Sequence, residues 1–83
     1  MNSEVIFKQV VEILVEEFQV ERSQIKLNSK LYCDLGLDSL DLLGLILSLE
    51  EKSKKIISIQ NLRGVTKIKD IVSLVKMDNL MNQ

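Results

Sequence analysis

Asp34-Leu35-Gly36-Leu37-Asp38-Ser39-Leu40 is the stretch on which the fold of this 83-residue chain turns. Gly36 can take backbone angles closed to other residues, which permits a sharp approach to the segment that follows. Asp38 is suited to accept a hydrogen bond from the orphan N–H groups of a first helical turn. Asp41, three residues on, adds a first-turn acid that the helix dipole favours. A helix is therefore expected to open at Asp38 and run Ser39-Leu40-Asp41-Leu42-Leu43-Gly44-Leu45-Ile46-Leu47-Ser48-Leu49-Glu50-Glu51. Lys52, Lys54 and Lys55 then cluster where positive charge suits a helix C-terminus. Ser39 falls at the helix start with its hydroxyl toward solvent, and a phosphate attached there would lie near unsatisfied amides at the positive end of the dipole. The chain has no histidine, so Ser39 cannot work as a histidine-assisted nucleophile. It makes better sense as a hydroxyl that another enzyme modifies.

Upstream, Ile6, Val10, Ile13 and Leu14 recur at three- and four-residue steps, as do Phe7, Val11, Leu14 and Phe18. This is an amphipathic helix over Ser3–Phe18, with Ser3 as its N-cap. Its many β-branched residues make strand a competing local tendency, but the run is too long for a strand and lacks alternation. Residues 21–37 keep no period. Val20, Ile25, Leu27, Leu31 and Leu35 would pin them as a long ordered loop. Downstream, residues 56–62 have room for one short helical turn. Thr66 is a candidate N-cap for a last helix carrying the stripe Ile68, Ile71, Val72 and Val75. Residues 78–83 lack an anchor and are expected to fray. The expectation is an all-α fold: a small four-helix bundle, three longer helices plus one short one, in a single domain over residues 1–83.

Composition narrows the function. Eleven basic against twelve acidic residues leave a net charge of −1, so no electrostatic footprint advertises nucleic acid or an anionic membrane. No segment approaches the roughly 20 apolar residues a membrane span needs. One cysteine and no histidine exclude an intramolecular disulfide and a zinc centre, as in a cytoplasmic protein held together by packing. Cys33 is expected to be an ordinary half-buried side chain.

The seven residues from Asp34 to Leu40 resemble the D-L-G-x-D-S-L motif of acyl carrier proteins, and the likeness extends over nearly the whole chain: the first helix, the long loop with Leu31, the apolar second helix ending Leu49-Glu50-Glu51, a short third helix and a last helix opened by Thr66. The resemblance implies a non-catalytic carrier, cytoplasmic and monomeric. Its cofactor would be 4′-phosphopantetheine, attached covalently at Ser39, with acyl groups held as thioesters on the terminal thiol. Asp38 would cap the helix and serve recognition by a phosphopantetheinyl transferase. Leu40, Asp41, Leu43, Leu47, Glu50 and Glu51 would face partners: ligases, ketosynthases or acyltransferases. Leu45, Ile46, Leu49, Ile71 and Val75 would surround a sequestered acyl chain. No nucleic acid, metal or membrane insertion is implied. The chain departs from strongly acidic relatives in its charge, in Gly44 where an acid is usual, in Lys52, Lys54 and Lys55, and in Ser53 where an aromatic is usual.

Read without the resemblance, Ser39 is also an ordinary helix-start serine, and Leu40, Leu43 and Leu47 could be core. A bundle this small cannot bury a helix on all sides, however, so one apolar stripe of the second helix should stay at the surface beside Ser39. Two function classes therefore stand: a carrier of thioester-bound acyl groups (or of aminoacyl or peptidyl ones), and an unmodified helical adaptor.

Overall fold

The structure, a computed structural model, describes the backbone of residues 2–54, 56–57 and 62–81, and side chains as far as residue 76. Among these residues there are three α-helices and no strand: α1 Ser3–Phe18, α2 Ser39–Ser53 and α3 Ile68–Met81. The short fourth element is a 3₁₀ turn, Arg22–Gln24, in the first connection. The additional turn expected over residues 56–62 falls mostly on positions outside the described residues. No described helix is long and apolar enough to cross a membrane.

α1 starts one residue earlier in its capping than expected. Asn2, not Ser3, is the N-cap, and its Oδ1 accepts from the Val5 amide at 2.9 Å. Asn2 has the extended backbone a cap requires, whereas Ser3 is already helical. The β-branched run stays helical because Ile6, Val10, Val11, Ile13 and Leu14 are buried together, and tertiary burial outweighs weak propensity. α1 packs against both α2 and α3. α2 contributes Leu42, Leu45, Ile46 and Leu49 to the core, and α3 contributes Ile68, Ile71, Val72, Leu74 and Val75. Each fully buried Leu or Ile is worth about 1.5–3 kcal/mol.

The long connection is ordered by burial and by hydrogen bonds. Ile25, Leu31 and Leu37 are buried, and Val20 and Leu35 pack partly against the same core. Leu27 departs from expectation: its side chain is 49% exposed, while its carbonyl accepts from the Lys69 amide at 2.9 Å. Cys33 departs too and is exposed. It lies in a turn that buries Leu31 and Leu37 and leaves residues 32–34 outside. Buried Ser29 braces the loop, accepting from the Lys26 amide at 2.9 Å and donating to the Gln24 carbonyl at 2.7 Å.

The start of α3 is fastened to this loop. Lys30 and Lys67 form an isolated antiparallel bridge. Leu31 donates to the Thr66 carbonyl at 2.9 Å, and Ile68 donates to the Ser29 carbonyl at 3.1 Å. Thr66 is therefore not the N-cap, because α3 begins only at Ile68. Thr66 acts instead as a donor: its amide (3.0 Å) and hydroxyl (3.2 Å), with the Lys67 amide (2.9 Å), converge on Asp70 Oδ2. The Thr66 amide is the largest influence holding the Asp70 carboxyl below its ordinary pKa. Burial, the next influence in size, pushes the other way, and the Lys67 amide, the Thr66 hydroxyl and nearby Lys69 add to the lowering, which prevails. The helical backbone continues over residues 78–81, where fraying was expected. Asn82 and Gln83 lie outside the described residues.

Candidate functional site at the start of helix 2

The approach to α2 is a compact turn. Within it Lys30 donates to Asp34 Oδ2 at 2.8 Å, Gly36 to the Tyr32 carbonyl at 3.1 Å and Leu37 to the Leu31 carbonyl at 2.9 Å. Gly36 takes φ +69°, and the space where a side chain would stand is open. The requirement for glycine is thus one of backbone conformation, not of room.

Asp38 and Asp41 then close a reciprocal capping box. The Asp41 amide donates to Asp38 Oδ1 at 2.9 Å, and the Asp38 amide to Asp41 Oδ2 at 3.2 Å. The expected cap is in place, and Asp41 completes it. Ser39, the first helical residue, is exposed between them. Its amide and that of Leu40 belong to the turn where a helix offers no internal acceptor. The arrangement presents a primary hydroxyl to solvent, at the positive end of a helix, on a backbone made rigid by two local bonds.

The residues expected to face partners separate into groups. Leu40 is 78% exposed and Leu47 52%, on the same side of α2 two turns apart. Leu43 is half-buried between that face and the core. Glu51 is exposed, but the Glu50 carboxylate turns back to accept from the Ile57 amide at 2.7 Å. That bond fastens the chain after α2, burying Ile57 (2% exposed) and leaving Ile56 81% exposed. The five residues expected around an acyl chain, Leu45, Ile46, Leu49, Ile71 and Val75, are all fully buried in the bundle core.

Three features escaped the sequence reading. Asp70 repeats at α3 the spacing of Asp41 at α2, an acid three residues past the cap, and that spacing was the available signal. Gly44 faces the Phe18 ring, with the position of a Cβ 3.4 Å from Phe18 Cζ, so this side of α2 packs against α1. Next to it Ser48 donates to Glu17 Oε1 at 2.6 Å. Ser53, where an aromatic is usual in the family the chain resembles, is buried and donates to the Leu49 carbonyl at 2.6 Å, which satisfies its hydroxyl inside the helix.

Comparison with known proteins agrees with this geometry. The family model for the phosphopantetheine attachment site matches residues 8–75. The acyl carrier protein of Phytoplasma mali is 37% identical over 71 residues, covering 86% of this chain and 84% of the relative. That of Campylobacter lari is 37% identical over 71 residues, covering 86% and 92%, and that of Campylobacter jejuni 38% over 74 residues, covering 89% and 94%. The cofactor such a domain implies, a covalent 4′-phosphopantetheine, needs an exposed hydroxyl at a site that tolerates a phosphodiester, and the start of α2 offers both. With a matching family model over most of its length and relatives above one-third identity, the chain belongs to the acyl carrier protein family.

Proposed function

We propose that Ser39 carries the 4′-phosphopantetheine arm and that the protein shuttles acyl intermediates in the cytoplasm, in fatty-acid synthesis or in a specialised lipid or polyketide-type pathway. The observation that carries this is the exposed Ser39 hydroxyl held between the two acids of a closed capping box. When attached, the arm supplies a terminal thiol on which acyl groups travel as thioesters. The work of the chain is to present the serine oxygen to a phosphopantetheinyl transferase. There that oxygen forms a phosphodiester with the pantetheine phosphate of coenzyme A, whose P–O–P bond breaks as adenosine bisphosphate leaves. Asp38 keeps the oxygen at the tip of the helix and offers the transferase a carboxylate. Docking rests on Leu40, Leu43 and Leu47, with Asp41 and Glu51 at its margin, Glu50 being turned back to the Ile57 amide. Lys52 and Lys54, both exposed, reduce the negative field at the end of α2, so association depends less on salt than charge-steered binding does. A dedicated partner enzyme fits this surface.

Acyl chains enter the core beside Leu45, Ile46, Leu49, Ile71 and Val75, each added methylene contributing up to about 0.8 kcal/mol. The test is intact mass spectrometry after incubation with a promiscuous transferase, Mg²⁺ and coenzyme A. Wild type gains the mass of one phosphopantetheinyl group and Ser39→Ala gains none. Full modification of Ser39→Ala overturns the assignment. Loading the holo protein with a series of chain lengths then raises Tm stepwise. A flat series places the cargo in solvent.

A further inference from the structure

The Ser39 segment and the start of α3 are joined by one continuous set of hydrogen bonds. Asp70 Oδ2 gathers the Thr66 amide and hydroxyl and the Lys67 amide. The Thr66 carbonyl receives the Leu31 amide at 2.9 Å, and the Leu31 carbonyl receives the Leu37 amide at 2.9 Å. Leu37 precedes the capping residue Asp38. Leu31 and Leu37 are buried, at 0% and 4% exposure, so their own amides cannot trade these carbonyls for water without opening the loop. Two first-turn amides of α3, those of Ile68 and Lys69, which a helix cannot satisfy internally, are satisfied by the loop carbonyls of Ser29 and Leu27. The loop caps α3, and α3 holds the loop that aims Ser39.

The geometry points to Asp70 as a positioning residue for Ser39, acting through Thr66, Leu31 and Leu37 to keep the approach to α2 in the conformation that a transferase accepts. The inference rests on Ser39 being the modified residue. Its physical content is a population: if loosening the start of α3 lowers the fraction of molecules with the competent turn, the apparent affinity of the transferase falls by that fraction while turnover at saturation does not.

The experiment measures transferase kinetics with coenzyme A on wild type, Asp70→Ala, Asp70→Asn and Asn2→Ala, at a temperature where circular dichroism shows all four folded. Amide exchange is followed on the same proteins. Asn2→Ala removes a helix cap of similar kind from α1, at a point with no bond to the loop. The expected result for Asp70→Ala is a KM raised about three- to tenfold with kcat unchanged, and faster exchange at the Leu31 and Leu37 amides. Asparagine, which keeps a neutral acceptor, restores part of the loss, and Asn2→Ala behaves as wild type in both readouts. Wild-type KM and exchange in Asp70→Ala overturn the inference, as does an equal effect of Asn2→Ala, which would mean that only global stability was lost. If wild type itself is not modified, the Ser39 assignment fails instead. The link is then decided by exchange alone: acceleration at Leu31 and Leu37 in Asp70→Ala but not in Asn2→Ala sustains it, and no acceleration removes it.

Discussion

The starts of α2 and α3 use the same chemistry to opposite ends. Each follows an irregular segment, and in each an aspartate three residues past the cap reaches back to the cap amide. At α2 the cap closes on itself: Asp38 and Asp41 satisfy one another, Ser39 and Leu40 are left in solvent, and the tie to α3 runs through Leu37 and Leu31 before the cap, not through the cap itself. At α3 the device is tertiary, since the loop supplies carbonyls to Ile68 and Lys69 and Thr66 gives its carbonyl to Leu31. The helix start proposed to meet enzymes is capped from within. A helix start that must hold a long loop in place is capped by that loop.

The sharpest contrast is between leucines on the two sides of this divide. Leu31, fully buried at the seam between loop and α3, should cost about 2–5 kcal/mol of stability on replacement by alanine. Leu40, 78% exposed beside Ser39, should stay within about 0.5 kcal/mol. For partner affinity the order reverses, with Leu40→Ala the damaging change. Urea unfolding together with binding to a partner enzyme decides it. Comparable stability losses would mean that the start of α2 is not the open one.

A smaller effect separates the two caps. Asp70 receives three hydrogen bonds and Asp38 one from the first turn of its helix. Removing an N-terminal cap costs about 0.5–2 kcal/mol. Asp70→Ala is expected near the upper end of that range and Asp38→Ala near the lower, measured by denaturant midpoints at neutral pH. Equal losses would reduce the tertiary seam to an ordinary cap.

Much of this was legible in the residues. The limits of α1, the cap at Asp38 and the burial of Ile68, Ile71, Val72 and Val75 follow from periodicity and turn chemistry, which are local. The exposed positions of Leu40 and Leu47 follow from the size of the bundle. What was not legible depends on contacts between distant segments. Thr66 looks like an N-cap until the loop carbonyls occupy the first turn of α3. Glu50 looks like a surface acid until the Ile57 amide comes within reach. Gly44 looks like a lost recognition acid until Phe18, 26 positions earlier, is found lying over it. Leu27 reads as an anchor by hydropathy alone, yet it is the carbonyl that the fold uses.

The Asp70 seam also has a pH signature. The folded carboxyl titrates below its ordinary value of 3.8. Its contribution is therefore complete above the unfolded pKa of about 3.9 and is lost as pH falls through the lower folded pKa. The stability gap between wild type and Asp70→Asn, measured by urea unfolding at stepped pH, should hold from neutrality to about pH 4 and narrow below that. A gap that stays constant into the acid range would show that the geometry of the acceptor, and not its charge, fastens α3 to the loop.

Gly44 provides the mildest test, with the opposite sign. Glycine inside a helix costs about 1 kcal/mol relative to alanine. An alanine Cβ here would stand 3.4 Å from Phe18 Cζ and 3.9 Å from Cε2, which is ordinary contact and not overlap. Gly44→Ala should therefore raise stability by about 0.4–1 kcal/mol, largely by restricting the unfolded chain, with the denaturant midpoint moving up and the slope unchanged. Because the start of α2 is capped by its own two aspartates, stiffening the middle of the helix should leave the rate of Ser39 modification as it was. Changes at Asp70, sequentially far more remote, should alter that rate. A lower midpoint for Gly44→Ala would mean that the Phe18 ring cannot yield even slightly. A changed modification rate would mean that the start of α2 is coupled along its own helix as strongly as through the seam to α3, and the contrast between the two helix starts would collapse.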